Sequence, residues 1–287
     1  MEQIEIVADL KMLTGESPMW STREAALYWL DTRSETIFRR DAGGDIRRWT
    51  TPAKVNALGL APGGLIVGMK GSVALFDVRT GTFSHLLDPA PGRPELRVND
   101  GKVDRAGRFW FSTMEDNAGS AIGSIYRLAG STLTQIDTEF TIPNGFAWSP
   151  DDTTMYLADS KLGRIYAYDF DAAAGTAQKR RIFSDDRSTG NPDGATIDER
   201  GYLWSARPGE WSLVRLDPNG QVDRVVRLPV QRPTSVIFGG ADLRTLFVTS
   251  ATRGLTPEQL AGQPHAGALL AFAVDVPGLG EPEFRSA

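Results

Sequence analysis

Three short stretches of the sequence place oxygen-bearing side chains beside glycine or proline, where the chain turns into an apolar strand. Glu16 lies in GESPMW, Asn144 in IPNGFAWSP and Asp193 in NPDGATID. Hard divalent cations such as Ca²⁺, Mg²⁺ and Mn²⁺ prefer carboxylate and amide oxygens, whereas Zn²⁺ usually takes His or Cys. If the fold brings the three side chains together, they predict an open metal site, because three protein ligands leave positions for water or substrate.

Each stretch, taken singly, also fits an ordinary turn. Asn144-Gly145 is a common turn dipeptide, and Pro192-Asp193-Gly194 matches a turn with proline at its second position. The string VNDG at 98–101 has the same character. A ligand role is favoured only by their shared position, since each stretch immediately precedes the inner strand of a repeated unit.

The elements that would position these residues are repeated β units. Six segments share an apolar strand, a small or polar bend and a second strand that closes on Asp or Gly, and helical periodicity is nearly absent. Their equivalent residues, 37 to 48 positions apart, are Tyr28, Leu65, Phe109, Met155, Leu203 and Leu246. This is the period of a propeller blade, about 40 to 50 residues. The pattern predicts an all-β fold, a six-bladed β-propeller with four-stranded blades.

The predicted ring needs a closure, and the N-terminus can supply it. The segment QIEIVAD precedes the first full unit and has strand composition, so we expect it to form the outer strand of the last blade. No linker interrupts the series, which predicts one domain over residues 1–287. The inner strands of a propeller converge on a channel, so side chains at their entrances gather at one mouth.

Composition restricts the classes of partner. The formal net charge is −5 and the pI about 5.2, and no dense Lys/Arg run is present, which argues against a nucleic-acid surface. No stretch approaches the roughly 18 apolar residues that cross a bilayer, and the N-terminus lacks a signal-peptide pattern. We therefore expect a cytoplasmic monomer whose partner is a small molecule rather than nucleic acid or a membrane.

The shortage of cysteine and histidine restricts the chemistry further. There is no cysteine, which excludes thiol catalysis and thiolate metal sites. His85 in FSHLL and His265 in QPHAGAL have no serine or acid motif beside them, so a Ser-His-Asp triad is not indicated.

Taken together, the motifs resemble the SMP-30/gluconolactonase family, also called regucalcin-like proteins. The resemblance runs from about residue 12 to 275 and rests, in order, on GESPMW, RVNDGKVDRAGRFWFSTM, IPNGFAWSPDDTTMYLADS, NPDGATIDERGYLW and RPTSVIFGGADLRTLFVTSA. It implies a six-bladed propeller that binds one divalent cation in its channel and hydrolyses a sugar lactone to the aldonic acid.

Carried over by position, the resemblance implies a metal site and a base. It makes Glu16, Asn144 and Asp193 the metal ligands, and Asp193 also the catalytic acid or base. The expected ion is Ca²⁺, with Mn²⁺, Zn²⁺, Mg²⁺ or Fe²⁺ as alternatives. Whether Asp193 takes the proton of the attacking water or only orients a water activated by the metal stays open.

The same resemblance implies which residues contact the substrate. Arg97 and Asn99 would contact its hydroxyl or carboxyl oxygens. A third contact falls on Asn117 by its offset from Asn99, with Glu115 nearby, because the local run is TMEDNAG. The expected substrate is a small neutral lactone such as glucono-, xylono-, galactono- or arabinonolactone.

Three other functions stay open at the level of sequence. A non-catalytic Ca²⁺-binding regulatory propeller would need the metal ligands but not the substrate contacts at Arg97 and Asn99. A propeller esterase of the paraoxonase type would be expected to use histidine and a second, structural metal. A protein-interaction propeller would expose apolar surface at its channel mouth.

Overall fold

The structure, a computed structural model, describes residues 2–286, and that part of the chain is almost entirely antiparallel β-sheet. Its 24 strands form six four-stranded sheets. Helix is confined, within residues 2–286, to α1 (Pro257–Ala261) and a 3₁₀ turn at Arg187–Thr189. No helix of this range is long and apolar enough to cross a membrane.

Each sheet is one blade, formed by strands that follow one another in the chain, apart from the sixth. The first three blades, from the channel outward, are β2 (Gly15–Ser21), β3 (Ala26–Asp31), β4 (Thr36–Arg40) and β5 (Ile46–Thr50); β6 (Val55–Ala61), β7 (Gly64–Met69), β8 (Ser72–Asp77) and β9 (Thr82–Leu87); and β10 (Leu96–Val103), β11 (Phe109–Glu115), β12 (Gly123–Ala129) and β13 (Thr132–Phe140). The next three are β14 (Pro143–Trp148), β15 (Thr154–Asp159), β16 (Arg164–Asp171) and β17 (Thr176–Ser184); β18 (Ala195–Ile197), β19 (Leu203–Arg207), β20 (Ser212–Leu216) and β21 (Val222–Arg227); and β22 (Pro233–Gly239), β23 (Thr245–Ser250), β24 (Leu269–Ala273) and β1 (Glu5–Ala8).

The ring closes as the sequence predicts. The N-terminal strand β1 pairs antiparallel with β24, with Ile6 opposite Leu270, so the sixth blade takes its outer strand from the start of the chain. The innermost strands contact one another in the order β2, β6, β10, β14, β18, β22 and again β2. The six-bladed propeller with four-stranded blades is confirmed.

Apolar side chains lie between neighbouring blades. Burial decreases outward: every residue of β6 and β7 is buried, whereas most of β5 and β21 is exposed. Six hydrophobic clusters form, and each combines residues of two neighbouring blades around the ring. The six residues predicted as equivalent all lie on the second strand of a blade, and all are buried. Blade-to-blade packing therefore holds the inner strands in place around the channel.

The C-terminal segment, residues 276–286, crosses the end of the channel where the inner strands finish. Glu283 forms a bridge with Leu60 at the end of β6, and the Lys102 ammonium at the end of β10 lies 3.0 Å from the Glu281 carboxylate. Phe284 is 1% exposed and packs into the cluster between the second and third blades. The candidate site residues lie at the opposite end, where the inner strands begin.

Candidate metal site and substrate pocket

The innermost strands are irregular close to their first residues. The pairing register with the second strand shifts in five of the six blades, between Glu16 and Met19, Val55 and Ala57, Val98 and Gly101, Asn144 and Ala147, and Pro233 and Ser235. Such β-bulges bend a strand and re-aim its side chains, and they are frequent beside active sites. In this propeller they turn polar side chains toward one mouth of the channel.

The bulges correct one expectation from the sequence. Glu16, Asn99 and Asn144 lie inside the inner strands β2, β10 and β14, not in turns that precede them. A bulge tolerates Gly145 at φ 71° without ending the strand. Only Asp193 precedes its strand, and its N–H donates to the Ala206 carbonyl at 3.0 Å, which ties it to the second strand of the blade.

Gly145 also shows how closely the fourth and fifth blades approach each other. A β-carbon at this position would lie 2.8 Å from the Asp193 carbonyl oxygen, closer than side chains tolerate. The Gly145 N–H donates to Asp100 Oδ2 at 2.6 Å, which holds the bulge of β14 against β10. The Asn-Gly pair is therefore required for backbone approach next to the site, beyond its turn propensity.

The bulged strand ends surround a cavity of about 620 Å³. The three predicted metal ligands, Glu16, Asn144 and Asp193, all line it. Asn144 Nδ2 donates to Asp193 Oδ1 at 2.8 Å and to Ser160 Oγ at 2.8 Å. The structure thus gathers, at one mouth, side chains that are 49 to 177 positions apart in the chain.

Two of the residues predicted to contact the substrate extend the hydrogen bonds of Asn144 into a row. Arg97 Nη1 donates to Asn99 Oδ1 at 2.7 Å, and Asn99 Nδ2 donates to Asn144 Oδ1 at 2.7 Å. Asn99 Nδ2 also donates to the Pro143 carbonyl at 2.9 Å. The row therefore runs from Arg97 through both asparagines to Asp193.

The two carboxylates of the site repel each other in a poorly solvated place. Burial and the charge of Asp100 raise the pKa of Asp193 to about 7. Burial, then the charges of Asp193 and Asp100, raise the pKa of Glu16 well above its usual value. Buried like charges of this kind are costly unless a cation compensates them.

A divalent cation fits these residues. Asn144 Oδ1 accepts one hydrogen bond, from Asn99, and a carbonyl oxygen has a second lone pair. Backbone N–H groups and Asn144 Nδ2 compensate the carboxylates only in part. Within residues 2–286, no group of three or more His, Cys, Asp or Glu side chains is arranged to hold a metal, so this donor set depends on its amide oxygen.

The sequence does not reveal Asp116, whose carboxylate pairs with two of the six basic side chains of the cavity wall, Lys54 and Arg97. Its carboxylate accepts hydrogen bonds from Lys54 Nζ at 2.9 Å, Lys70 Nζ at 3.0 Å and Arg97 Nε at 3.1 Å. Although burial opposes it, the hydrogen bonds from Lys54 and Lys70 hold the pKa of Asp116 well below its usual value. The residue stands in the run TMEDNAG, but the lysines come from another blade, and no local pattern shows them.

The structure separates Asn117 from Glu115. Asn117 is exposed and lines the cavity. Glu115 instead accepts the backbone N–H groups of Gly119 at 2.9 Å and Ser120 at 2.8 Å, so its carboxylate shapes the loop.

Neither histidine lines the cavity. His85 Nδ1 lies 2.8 Å from Ser72 Oγ on the outer strands of the second blade, and His265 Nδ1 lies 3.5 Å from Asp9 Oδ2. The expectation that no Ser-His-Asp triad uses them agrees with this placement.

Fold and pocket define a six-bladed β-propeller with a polar, cation-compatible cavity at one mouth of its channel. A family described as the SMP-30/Gluconolactonase/LRE-like region matches residues 14–252. The chain belongs to this family, as the motifs in the sequence predict.

Three similar proteins align with nearly the whole chain. The 6-deoxy-6-sulfogluconolactonase of Pseudomonas putida is 36% identical over 99% of this chain and 99% of its own length. The L-arabinolactonase of Azospirillum brasilense is 33% identical, over 98% of this chain and 95% of its own. The crystal structure of regucalcin from Agrobacterium tumefaciens strain C58, described as a calcium-binding protein, superposes with a TM-score of 0.95, at 28% identity, over 99% of this chain and 98% of that one.

Proposed function

We propose that the protein hydrolyses a sugar lactone to the corresponding aldonic acid and uses one divalent cation to do so. The observation that carries this proposal is the convergence of Glu16, Asn144 and Asp193 on one cavity, beside the donors Arg97 and Asn99. The Arg97 guanidinium keeps one nitrogen, Nη2, without a protein partner within residues 2–286, and a site that only stored a cation would not need this donor. Relatives named as lactonases for two different sugars support the reaction class.

Glu16, Asn144 and Asp193 would hold the cation. When bound, it supplies Lewis-acid polarisation of the lactone carbonyl and stabilises the oxyanion that forms there. Two carboxylates and an amide favour Ca²⁺, and Mn²⁺, Zn²⁺, Mg²⁺ and Fe²⁺ are the alternatives. The calcium-binding structural relative supports the first choice.

Asp193 is the base in this scheme. Water adds to the carbonyl carbon and gives a proton to Asp193, the bond from that carbon to the ring oxygen breaks, and the proton goes to the ring oxygen. Asn144 Nδ2 donates to Asp193 Oδ1 at 2.8 Å. Asp193 would bind the cation through one oxygen and take the proton on the other. Burial raises the pKa of this carboxyl in the metal-free protein, and a bound cation would lower it, so Asp193 would activate the water together with the cation.

Arg97 and Asn99 would orient the sugar. Arg97 Nε donates to Asp116, and Nη1 donates to the Val98 carbonyl and to Asn99. Nη2 is therefore the guanidinium nitrogen that remains to donate to a ligand. A guanidinium fixed on one side binds oxygen with a defined direction. Asn117, exposed at the cavity wall, would contact the end of the substrate away from the cation.

The test measures proton release from glucono-, xylono-, galactono- and arabinonolactone. Metal-stripped protein is compared with the same protein after addition of each candidate cation. We expect turnover of at least one lactone to require the metal, and Asp193→Asn to lower kcat/KM at least about 100-fold, the usual effect of losing a general base. The matched control is Asp45→Asn, an exposed aspartate in the first blade whose carboxylate lies outside the cavity.

A negative result has a definite meaning in this experiment. If the protein binds Ca²⁺ but opens neither these four lactones nor hexonolactones with an anionic group at carbon 6 faster than the uncatalysed reaction, the hydrolase proposal fails. A non-catalytic Ca²⁺-binding propeller would then replace it.

A further inference from the structure

The cavity wall carries more positive than negative charge. Its acidic side chains are Glu16, Asp116 and Asp193. Its basic side chains are Arg33, Lys54, Arg97, Lys161, Arg232 and Arg253. Ion pairs with Asp116 account for Lys54 and Arg97, whereas the other four basic residues form no ion pair within residues 2–286.

Two of these unpaired arginines, Arg33 and Arg253, stand on loops that are tied together. The Asp31 carboxylate accepts the N–H of Arg33 at 3.2 Å and the N–H of Leu13 at 2.9 Å. The Leu13 carbonyl in turn accepts the N–H of Arg253 at 3.0 Å. The loops after β3 and β23, from the first and sixth blades, are thus fixed side by side at the mouth.

Arg232 joins the same group from the start of β22. Its carbonyl accepts the Ala251 N–H at 3.0 Å, which places it beside the loop that carries Arg253. Its Nε is buried and has no hydrogen-bond partner in the described structure. Burial and the nearby charges of Arg33 and Arg232 lower the pKa of Arg253, which agrees with a cluster of three cations.

Within residues 2–286 no acid forms an ion pair with this cluster, although the charge of Asp116 acts on Arg253 and the charge of Arg232 lowers the pKa of Asp193. Three cations already surround Asp116, and Glu16 and Asp193 are the carboxylates assigned to the metal. Arg33 and Arg232 are partly buried and Arg253 is exposed, so all three can reach a ligand in the cavity that they line. The planar donors of a guanidinium match carboxylate, sulfonate and phosphate oxygens.

We propose that the cavity takes a sugar lactone that carries an oxyanionic substituent, bound by Arg33, Arg232 and Arg253. This inference rests on the proposed lactone hydrolysis and names its substrate class. The lactone carbonyl faces the metal ligands, and the anionic group faces the arginines, which line the same cavity from the first and sixth blades. The substrate is then an anionic lactone, in place of the neutral one expected from the sequence.

The kinetic test compares a hexonolactone with its counterparts that bear a phosphate ester, a sulfonate or a carboxylate at carbon 6. We expect kcat/KM of the wild type to be at least about 10-fold higher for one anionic lactone than for the neutral one, as charge-assisted bidentate contacts allow. In Arg253→Gln and Arg33→Gln, the ratio of anionic to neutral kcat/KM should fall at least about 10-fold, through KM, with partial recovery in Arg253→Lys.

The matched control for these variants is Arg48→Gln. Arg48 is exposed on the outer strand of the first blade, so the same charge is removed away from the cavity. The ratio of anionic to neutral kcat/KM in Arg48→Gln should equal that of the wild type. Wild-type preference for the neutral lactone, or an equal loss for both lactones in Arg253→Gln, would overturn the inference.

A binding measurement separates this inference from the proposed function. Calorimetry compares gluconate with the same acid bearing the phosphate, sulfonate or carboxylate at carbon 6, and with inorganic phosphate and sulfate. Tighter binding of a substituted acid that Arg253→Gln abolishes supports the anion site even if no lactone is hydrolysed. Equal binding of gluconate and the substituted acids, or equally tight binding of the free inorganic anion, contradicts it whatever the activity.

Discussion

The hydrogen-bonded row from Arg97 to Asp193 runs in one direction, and this direction determines which atom of Asn144 faces which neighbour. A guanidinium can only donate, so Asn99 accepts with Oδ1 and donates with Nδ2. Asn144 must then accept with Oδ1 and donate with Nδ2 to Asp193. At the scale of single residues, Arg97 therefore orients a proposed metal ligand through Asn99, without contacting that ligand itself.

Removal of Asn99 should weaken metal binding although Asn99 is not a proposed ligand. In Asn99→Ala, Asn144 loses the donor that fixes its amide, and we expect the affinity for Ca²⁺ to fall about 10-fold, as for other residues that orient ligands. Calorimetric titration of metal-stripped protein measures this. Asn117→Ala is the control and should bind Ca²⁺ like the wild type; equal affinities for all three proteins would refute the orienting role.

The raised pKa of Asp193 predicts a pH dependence of stability in metal-free protein. The folded carboxyl titrates at about 7 and the unfolded one near 3.8, so between these values the folded state binds more protons. The free energy of unfolding should therefore fall as the pH rises from about 4 to about 7.

Urea unfolding at pH 5 and pH 8 measures this effect. The fall from pH 5 to pH 8 should be smaller in Asp193→Asn than in the wild type, because the variant has no carboxyl to deprotonate at that position. Asp45→Asn should behave like the wild type. An identical fall in all three proteins would show that Asp193 ionises normally.

At the scale of elements, the two ends of the channel are built differently, one by the bulges of the inner strands and the other by the C-terminal segment. The bulges turn Glu16, Asn99 and Asn144 toward the open mouth. The C-terminal segment, through Glu283 and Phe284, covers the other end. One end is thus organised for polar chemistry and the other for packing.

This division predicts that stability and metal binding can be changed separately. Phe284→Ala removes a fully buried ring and should lower the free energy of unfolding by about 3 kcal/mol, within the usual range for such a truncation. Its affinity for Ca²⁺ should equal that of the wild type, because Phe284 is at the far end of the channel. Urea unfolding and calorimetry give the two values; a loss under about 1 kcal/mol would mean that the segment is not part of the core.

At the scale of the whole molecule, the proposed metal site joins the first blade to the fourth and fifth blades, neither of which adjoins it in the ring. Glu16 comes from the first blade, Asn144 from the fourth, and Asp193 precedes the innermost strand of the fifth. Adjacent blades are held together by apolar clusters, and the Asn144–Asp193 hydrogen bond also links the fourth and fifth blades at this mouth. A cation bound there would therefore stabilise the closed ring.

Thermal unfolding tests this stabilisation. At a Ca²⁺ concentration 100 times the dissociation constant, binding to the folded state alone adds about 2.7 kcal/mol, so Tm should rise by about 4 to 5 °C. Glu16→Gln and Asp193→Asn should show a much smaller rise, and Asp45→Asn the full one. A rise that is the same in every variant would place the stabilising ion elsewhere.

The sequence predicts the fold well because strand periodicity and blade spacing are local signals. The six equivalent residues, such as Tyr28 and Leu246, follow directly from apolar runs between turns. It also predicts that Glu16, Asn144 and Asp193 meet, because position within a blade determines position at the mouth. It does not show Asp116 with its three cations or the arginine cluster, since these contacts join loops of different blades, which no spacing encodes.

The central claim is that one cation, held by Glu16, Asn144 and Asp193, is required for lactone opening. Its most direct test titrates metal-stripped protein with Ca²⁺ and records, in the same samples, bound calcium and the rate of lactone hydrolysis. We predict that the rate rises in proportion to occupancy up to one ion per chain, and that Glu16→Gln shifts both curves to higher Ca²⁺ together. Full activity in protein without bound metal, or a rate that does not follow occupancy, would contradict the claim.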